Sequence, residues 1–175
     1  MSTGPGSVAS IHIARFATAP TESITEVQAV PGKGLAGDRY FMRAGTFGKN
    51  FGPDNELTLI ELEAIEALER DYHVALKPGE ARRNLVIRGV ALNHLVGREF
   101  QVGAVTLRGL SLCEPCSHLE KLTSHGVISG LIHRGGLRAQ ILTEGIIRVS
   151  DAVLEHSPQE TTAGLTPASL SAATY

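Results

Sequence analysis

Five short runs of aliphatic and β-branched residues dominate the second half of the chain. They are Leu85-Val86-Ile87, Glu99 to Val102, Val105 to Leu112, Leu137 to Thr143 and Ile146 to Val153. Gly89, Gly97, Gly103, Gly109, Gly135-Gly136 and Gly145 punctuate them. Apolar runs this short, broken by turn-forming residues, read as strands. Upstream, Val8 to Phe16 reads as a first strand, and Thr25, Val27 and Ala29 share one face of the next. Leu57 to Ile60 finishes another. At Glu61 the period changes: Leu62, Ile65, Leu68 and Tyr72 recur at helical spacing, with Glu61, Glu63, Glu66 and Glu69 on the remaining surface. This amphipathic helix ends before Lys77-Pro78-Gly79. A shorter helical stretch is expected between Ser117 and Ile132, interrupted near Gly126. Many short strands with few helices predict a mostly β chain of the α+β class, a closed or nearly closed β-barrel with helical decorations.

A length of 175 residues suits one domain with a real core. We expect that domain over residues 8–156, after a flexible N-terminus at 1–7. The stretch 157–175 turns to Ser, Thr, Ala and Pro and reads as a flexible tail. A net charge of −2 gives no general attraction to nucleic acid or to an anionic membrane, so any anion site must be local. The first residues lack the basic flank and apolar run of a signal peptide, and no segment approaches the roughly 20 apolar residues of a membrane span. Together with the cysteine usage, these features predict a cytoplasmic protein.

The chain has two cysteines, Cys113 and Cys116, separated by Glu114-Pro115. So close a lone pair is a poor disulfide staple and points to reactive or metal-bound sulfur. Ser111 to His118 leaves a strand and is expected to enter a helix, whose start favours thiolate. Several readings stay open on the residues alone. The pair can be small buried hydrophobes. It can bind structural zinc with His118, His125 or His133, although the spacing matches no common finger. A thioredoxin-like dithiol lacks its βαβ context. A soft-metal or nucleophilic thiolate is the remaining reading, with Cys116 preferred and Cys113 the weaker candidate.

Three basic segments sit at strand ends: Lys33 to Arg39, Arg82-Arg83-Asn84, and His133-Arg134-Gly135-Gly136-Leu137-Arg138. Any one of these arginines alone reads as a solvated or carboxylate-paired surface residue. Together they read as a shared anion site, because arginine forks bind phosphate oxygens bidentately and glycines let backbone N–H groups approach an anion. Asp38 is expected to position Arg39 or cap its loop. His94 reads as a packing or surface residue, and His133 as the histidine nearest the site.

Taken in order, these segments resemble the MOSC domain, the module named after the C-terminal part of molybdenum cofactor sulfurase. The resemblance is carried by Gly34 to Arg39, Leu57 to Glu61, Pro78 to Val86, Leu95-Val96-Gly97, Leu112 to Cys116, Arg134 to Ala139 and Gly145 to Asp151. Ser150 stands where the family usually has Gly. The resemblance implies a MOSC-type β-barrel with a few short helices, and molybdenum bound by the cysteine in the Pro-Cys position, here Cys116. It implies that Arg82, Arg83 and Asn84 help hold the phosphate of the pterin (molybdopterin). Lys33, Arg39, Arg134 and Arg138 complete the expected cofactor-binding set. The implied activity is a molybdenum-cofactor-dependent oxidoreductase that reduces small N-hydroxylated compounds. Its electrons would come from a separate protein, since the chain has no flavin or iron–sulfur motif. The alternative is a carrier of molybdenum cofactor, or of sulfur as a Cys116 persulfide received from a sulfur donor. Pyridoxal phosphate, the cofactor of the sulfurases' desulfurase domain, is not expected here.

Overall fold

A computed structural model describes residues 5–45 and 50–155. Seven strands close into a barrel in the order β11-β7-β8-β9-β5-β6-β1, with β1 returning to β11. They are β1 (Gly6–Ile13), β5 (Leu57–Glu61), β6 (Leu85–Arg88), β7 (Glu99–Val102), β8 (Val105–Leu112), β9 (Leu137–Ile141) and β11 (Ala152–Glu155). All neighbours are antiparallel except β5 and β6. The crossover between these two is α1 (Leu62–Tyr72), which lies outside the barrel.

The seam of the barrel uses β1 twice. Gly6 and Ser7 pair with Val153 and Ala152 of β11, while Ile11 to Ile13 pair with β2 (Glu22–Ile24) outside the ring. The first strand thus begins at Gly6, ahead of the start expected at residue 8. A separate three-stranded sheet has the order β10-β3-β4: β10 (Gly145–Arg148), β3 (Glu26–Val30) and β4 (Gly34–Leu35).

Period-two alternation sorts the side chains into two cores. Leu57, Leu59, Leu85, Ile87, Phe100, Val105, Leu107, Leu137 and Ala139 fill the barrel. Ile60 and Val86, on the opposite faces of β5 and β6, join Ala64, Ile65 and Leu68 of α1 in a second core. Leu119 of α2 (Ser117–Leu122) and Val127 and Leu131 of α3 (Val127–Leu131) complete it. Gly126, with φ 96°, separates these two short helices at the position expected for the break. By packing on the second core, α2 fixes the segment before it, which carries both cysteines.

One expected strand divides. Ile146 to Val153 is two strands in different sheets, β10 and β11. The Asp151 carboxylate accepts the Arg148 N–H (2.8 Å), and Ser150 adopts φ 74°, so the chain turns between them. The expected tail at 157–175, like residues 46–49, lies outside the described residues.

Candidate functional site

The ends of β5, β6, β8 and β9 meet at one mouth of the barrel, and three loops converge on it. The first follows β4. Asp38 is buried, and its carboxylate accepts the N–H of Ala14 (3.0 Å) and of Tyr40 (3.1 Å). The Arg39 N–H donates to the Ala14 carbonyl (2.7 Å). With its backbone pinned, Arg39 holds its guanidinium 4.8 Å from the centre of the Tyr40 ring, and the side chain is only 12% exposed. Asp38 therefore positions this loop, as its place beside Arg39 suggests.

The second loop is the turn at Pro78–Ala81 that leads into β6. Arg82 is left-handed there, with φ 57°, and its Nη1 donates to the Ala19 carbonyl (2.8 Å). Burial, reinforced by the charge of Arg39, draws the Arg82 pKa below its usual value. The guanidinium keeps its charge in any case, but a half-buried arginine facing a second one favours an anionic neighbour.

Arg83 points the other way, into the protein. It donates from Nε to the Gly135 carbonyl (2.8 Å), from Nη1 to Ala81 (3.2 Å) and from Nη2 to Cys113 (2.9 Å). Three of its five N–H groups thus tie the cysteine loop and the Gly-Gly loop to β6. Asn84 is also a brace: its Oδ1 accepts from the Thr58 N–H (3.1 Å) and hydroxyl (3.0 Å).

The third loop carries the cysteines. Cys113 follows β8 and is buried, while Cys116 is exposed, and both are free thiols. Cys116 is extended (φ −135°, ψ 165°), and its carbonyl accepts the Glu120 N–H (3.1 Å), which starts α2. Between the two, the Glu114 carboxylate accepts the His133 N–H (2.9 Å) and lies 3.0 Å from His133 Nδ1. The backbone N–H, followed by the imidazole, holds the Glu114 pKa below the usual carboxylate range.

The glycines beside His133 do not form the anion cradle that their sequence suggests. A Cβ on Gly135 would stand 2.6 Å from the Cys113 carbonyl and 2.8 Å from Pro115 Cδ. Gly136, at φ 119°, lies so close to the Leu59 carbonyl that a side chain there would clash with it. Both are glycine because two backbones cross here.

These loops enclose a cleft of about 100 Å³, lined by Arg39, Arg82, Arg83, Arg138, Cys116 and His118 among others. Two carboxylates stand near these guanidinium groups: Glu114, which already holds His133, and the buried Asp38, whose Oδ1 lies 3.5 Å from Arg39 Nη1. Arg138 lies on β9 opposite Thr58 of β5, and its Nη1 donates to the Asp54 carbonyl (3.2 Å). Arg82 and Arg138 each make one such carbonyl contact and Arg39 one ion pair with Asp38, leaving further N–H groups for an anion. An exposed thiol beside this charge suits a phosphate-bearing group with a soft metal.

The family model for the MOSC domain matches residues 46–154, well over half of the chain. The chain belongs to the MOSC domain family. No curated protein sequence matches it. Among solved structures it is similar to the YuaD protein from Bacillus subtilis, with 14% identity and a TM-score of 0.73, over 88% of this chain and 98% of that one. It also resembles YiiM from Geobacillus stearothermophilus, with 15% identity and a TM-score of 0.65, over 87% and 76% of the two chains. YiiM from Escherichia coli aligns with 17% identity and a TM-score of 0.60, over 87% and 69%. Each of these likenesses is one of fold, the MOSC-type barrel expected from the sequence.

The MOSC barrel gathers Arg39, Arg82, Arg83, Asn84, Arg138, Cys113 and Cys116 around one cleft. It does not bring Lys33 or Arg134 there. Lys33 is exposed on the turn between β3 and β4, with Nζ 5.8 Å from the Phe41 ring centre. Arg134 is exposed near Glu61 and Asp71 of the α1 side. His133 buttresses the loop through Glu114, and the histidine that lines the cleft is His118. Tyr40, Asn55 and Thr58 also line it without any sequence signal beyond their neighbours. Among the described residues no three His, Cys, Asp or Glu side chains gather as a metal cluster, so the structural-zinc reading finds no ligand set.

Proposed function

We propose that this MOSC protein binds molybdenum cofactor at the arginine cleft through Cys116 and reduces small N-hydroxylated compounds there. The observation that carries this reading is the exposed Cys116 thiol on a cleft walled by Arg39, Arg82 and Arg138. The donor set fits the group: guanidinium forks for the phosphate and a single thiolate for a soft, high-valent metal. Bound there, the cofactor would supply a two-electron redox centre next to the substrate.

The remaining work falls to the chain's own residues. Arg39, Arg82 and Arg138 hold the anionic end. Arg83, Gly135 and the Glu114–His133 pair keep the cysteine loop in place. His118, two residues past Cys116, places an imidazole on the cleft wall beside the thiol. Electrons come from a separate donor protein. The openness of Cys116 also supports a second reading, a carrier that accepts cofactor or sulfane sulfur on this thiol for delivery to another protein.

Turnover separates the two. Protein made in cells able to synthesise molybdenum cofactor should reduce benzamidoxime with a dithionite-reduced viologen as donor, and Cys116→Ser should abolish it. Cofactor-loaded protein that fails to consume the substrate is a carrier.

A further inference from the structure

The two thiols on the cleft wall are held apart. Cys113 is fixed at both backbone groups: its N–H donates to the Gly136 carbonyl (2.7 Å), and its carbonyl accepts Arg83 Nη2 (2.9 Å). The Glu114 carboxylate is anchored on His133, and the Cys116 carbonyl starts α2. The four residues from Cys113 to Cys116, all described, run from β8 to α2 without a turn or bend. At about 3 Å of rise per residue in such a chain, the two Cα atoms stand roughly 9 Å apart. A disulfide spans at most about 7 Å, so none closes here unless the loop leaves Arg83 or α2. Cys113 is the chain's other cysteine. A sulfur bonded to Cys116 therefore has no thiol of the same chain to displace it.

Cys116 is also the exposed member of the pair, and Arg39, Arg82 and Arg138 line its cleft. The nearby carboxylates are engaged, Asp38 with backbone N–H groups and Arg39, and Glu114 with His133. Beyond Arg82 the space widens into a cleft of about 560 Å³ whose lining includes the charged Lys77 and Glu80. These surroundings favour a small disulfide that carries carboxylates, with room beside the thiol for the rest of the molecule.

We propose that Cys116 of the cofactor-free protein is a site of reversible S-thiolation by anionic low-molecular-weight thiols, whose carboxylates Arg39, Arg82 and Arg138 recognise.

The step is an exchange with the disulfide of such a thiol. The Cys116 sulfur gives its proton to solvent and attacks one sulfur of the small disulfide. The new S–S bond forms as the old one breaks, and the second half leaves as a thiolate that takes up a proton. Cys116 is oxidised and the leaving half is reduced, so the exchange balances without another oxidant. An excess of the reduced small thiol reverses it. The proposal rests on the functional reading in one respect: the modified sulfur is the one assigned to molybdenum, so a thiolated chain cannot take the metal until it is reduced.

Glutathione disulfide is the anionic probe, and cystamine is its cationic counterpart. Reduced, cofactor-free protein is mixed with each at one pH, and intact-mass spectrometry follows the adduct. Dividing each rate by that of N-acetylcysteine amide removes the intrinsic reactivity of the disulfide. The normalised rate for glutathione disulfide should exceed that for cystamine about tenfold or more, and added salt should narrow the gap. Combined Arg39→Gln and Arg138→Gln should bring the two rates together, and Cys113→Ser should leave adduct and rate as in the parent. Equal rates, or a preference for cystamine, in the parent protein would overturn the proposal without recourse to any variant. So would a Cys113–Cys116 disulfide as the product, or selectivity unchanged in the arginine variant. Because no molybdenum takes part, failure here leaves the molybdenum role of Cys116 standing, and a chain that binds no molybdenum can still be thiolated.

Discussion

Replacing Arg83 with alanine tests the way the cysteine loop is held. The buried guanidinium serves the carbonyls of Gly135, Ala81 and Cys113, and so joins the Gly-Gly loop, the turn before β6 and the cysteine loop. Hydrogen bonds to a charged donor are worth roughly 1.5–3 kcal/mol each, and groups sharing one donor do not add fully. Removing the side chain also leaves carbonyls short of partners in a place with little water. We expect Arg83→Ala to lose about 3–5 kcal/mol of unfolding free energy, a large effect of the kind produced by breaking a buried hydrogen-bond network. Arg82→Ala removes one half-buried contact, to Ala19, and should lose only about 0.5–1.5 kcal/mol. The assay is urea denaturation of cofactor-free protein, followed by circular dichroism, with both variants against the parent. Cys113 supplies a second readout, because an untethered loop should expose this buried thiol to a thiol reagent. If Arg83→Ala stays within about 0.5 kcal/mol of the parent while its anion affinity falls, the tether account is wrong and Arg83 is chiefly an anion ligand.

Three further outcomes follow from the same fold. Iodoacetamide should label Cys116 well before Cys113 in peptide mass spectrometry, since one thiol is exposed and the other buried; the reverse order would move the working role to Cys113. Ser150→Gly should stabilise the fold by about 0.5 kcal/mol, because relief of a left-handed serine at φ 74° outweighs the added freedom of the unfolded chain. A lower melting temperature for that variant would contradict this. Burial lowers the His12 pKa from its ordinary 6.5, so the unfolded chain takes up this proton more readily. His12's contribution to stability is therefore full above about pH 6.5 and is lost as the pH falls toward the folded value. His12→Gln should flatten that part of the urea-midpoint profile, and an unchanged profile would show that His12 does not titrate with folding.

Much of the barrel is legible in the sequence because β7, β8 and β9 alternate and β6 is a short apolar run between turn residues. Glu99 to Val102 and Val105 to Leu112 are β7 and β8 at their full length, and the helical period ending at Tyr72 is α1. The three residues of β2 and the two of β4 are too few to show any period. Ile146 to Val153 reads as one strand because β-branched residues recur through it, at Ile146, Ile147, Val149 and Val153, while the turn depends on the Asp151 carboxylate.

At the site, strand-end arginines are legible as a group, but not the direction in which each one faces. Arg83 and Arg82 are neighbours with opposite roles, one a tether and one a wall. Gly135 and Gly136 look like a cradle in the sequence and are a backbone crossing in the fold. Lys33 lies beside glycines as Arg39 does, yet the β3–β4 turn carries it away. His118 and Thr58 become site residues only when β5 and α2 meet over the barrel mouth.

Molybdenum and phosphorus content is the most direct measure of the proposed role. Protein purified from cells that make molybdenum cofactor should carry both elements in a fixed ratio to the chain. Cys116→Ala should lose the molybdenum, and combined Arg39→Ala and Arg138→Ala should lose both. Molybdenum and phosphorus retained in full by both variants, with the barrel intact by circular dichroism, would contradict binding at this cleft.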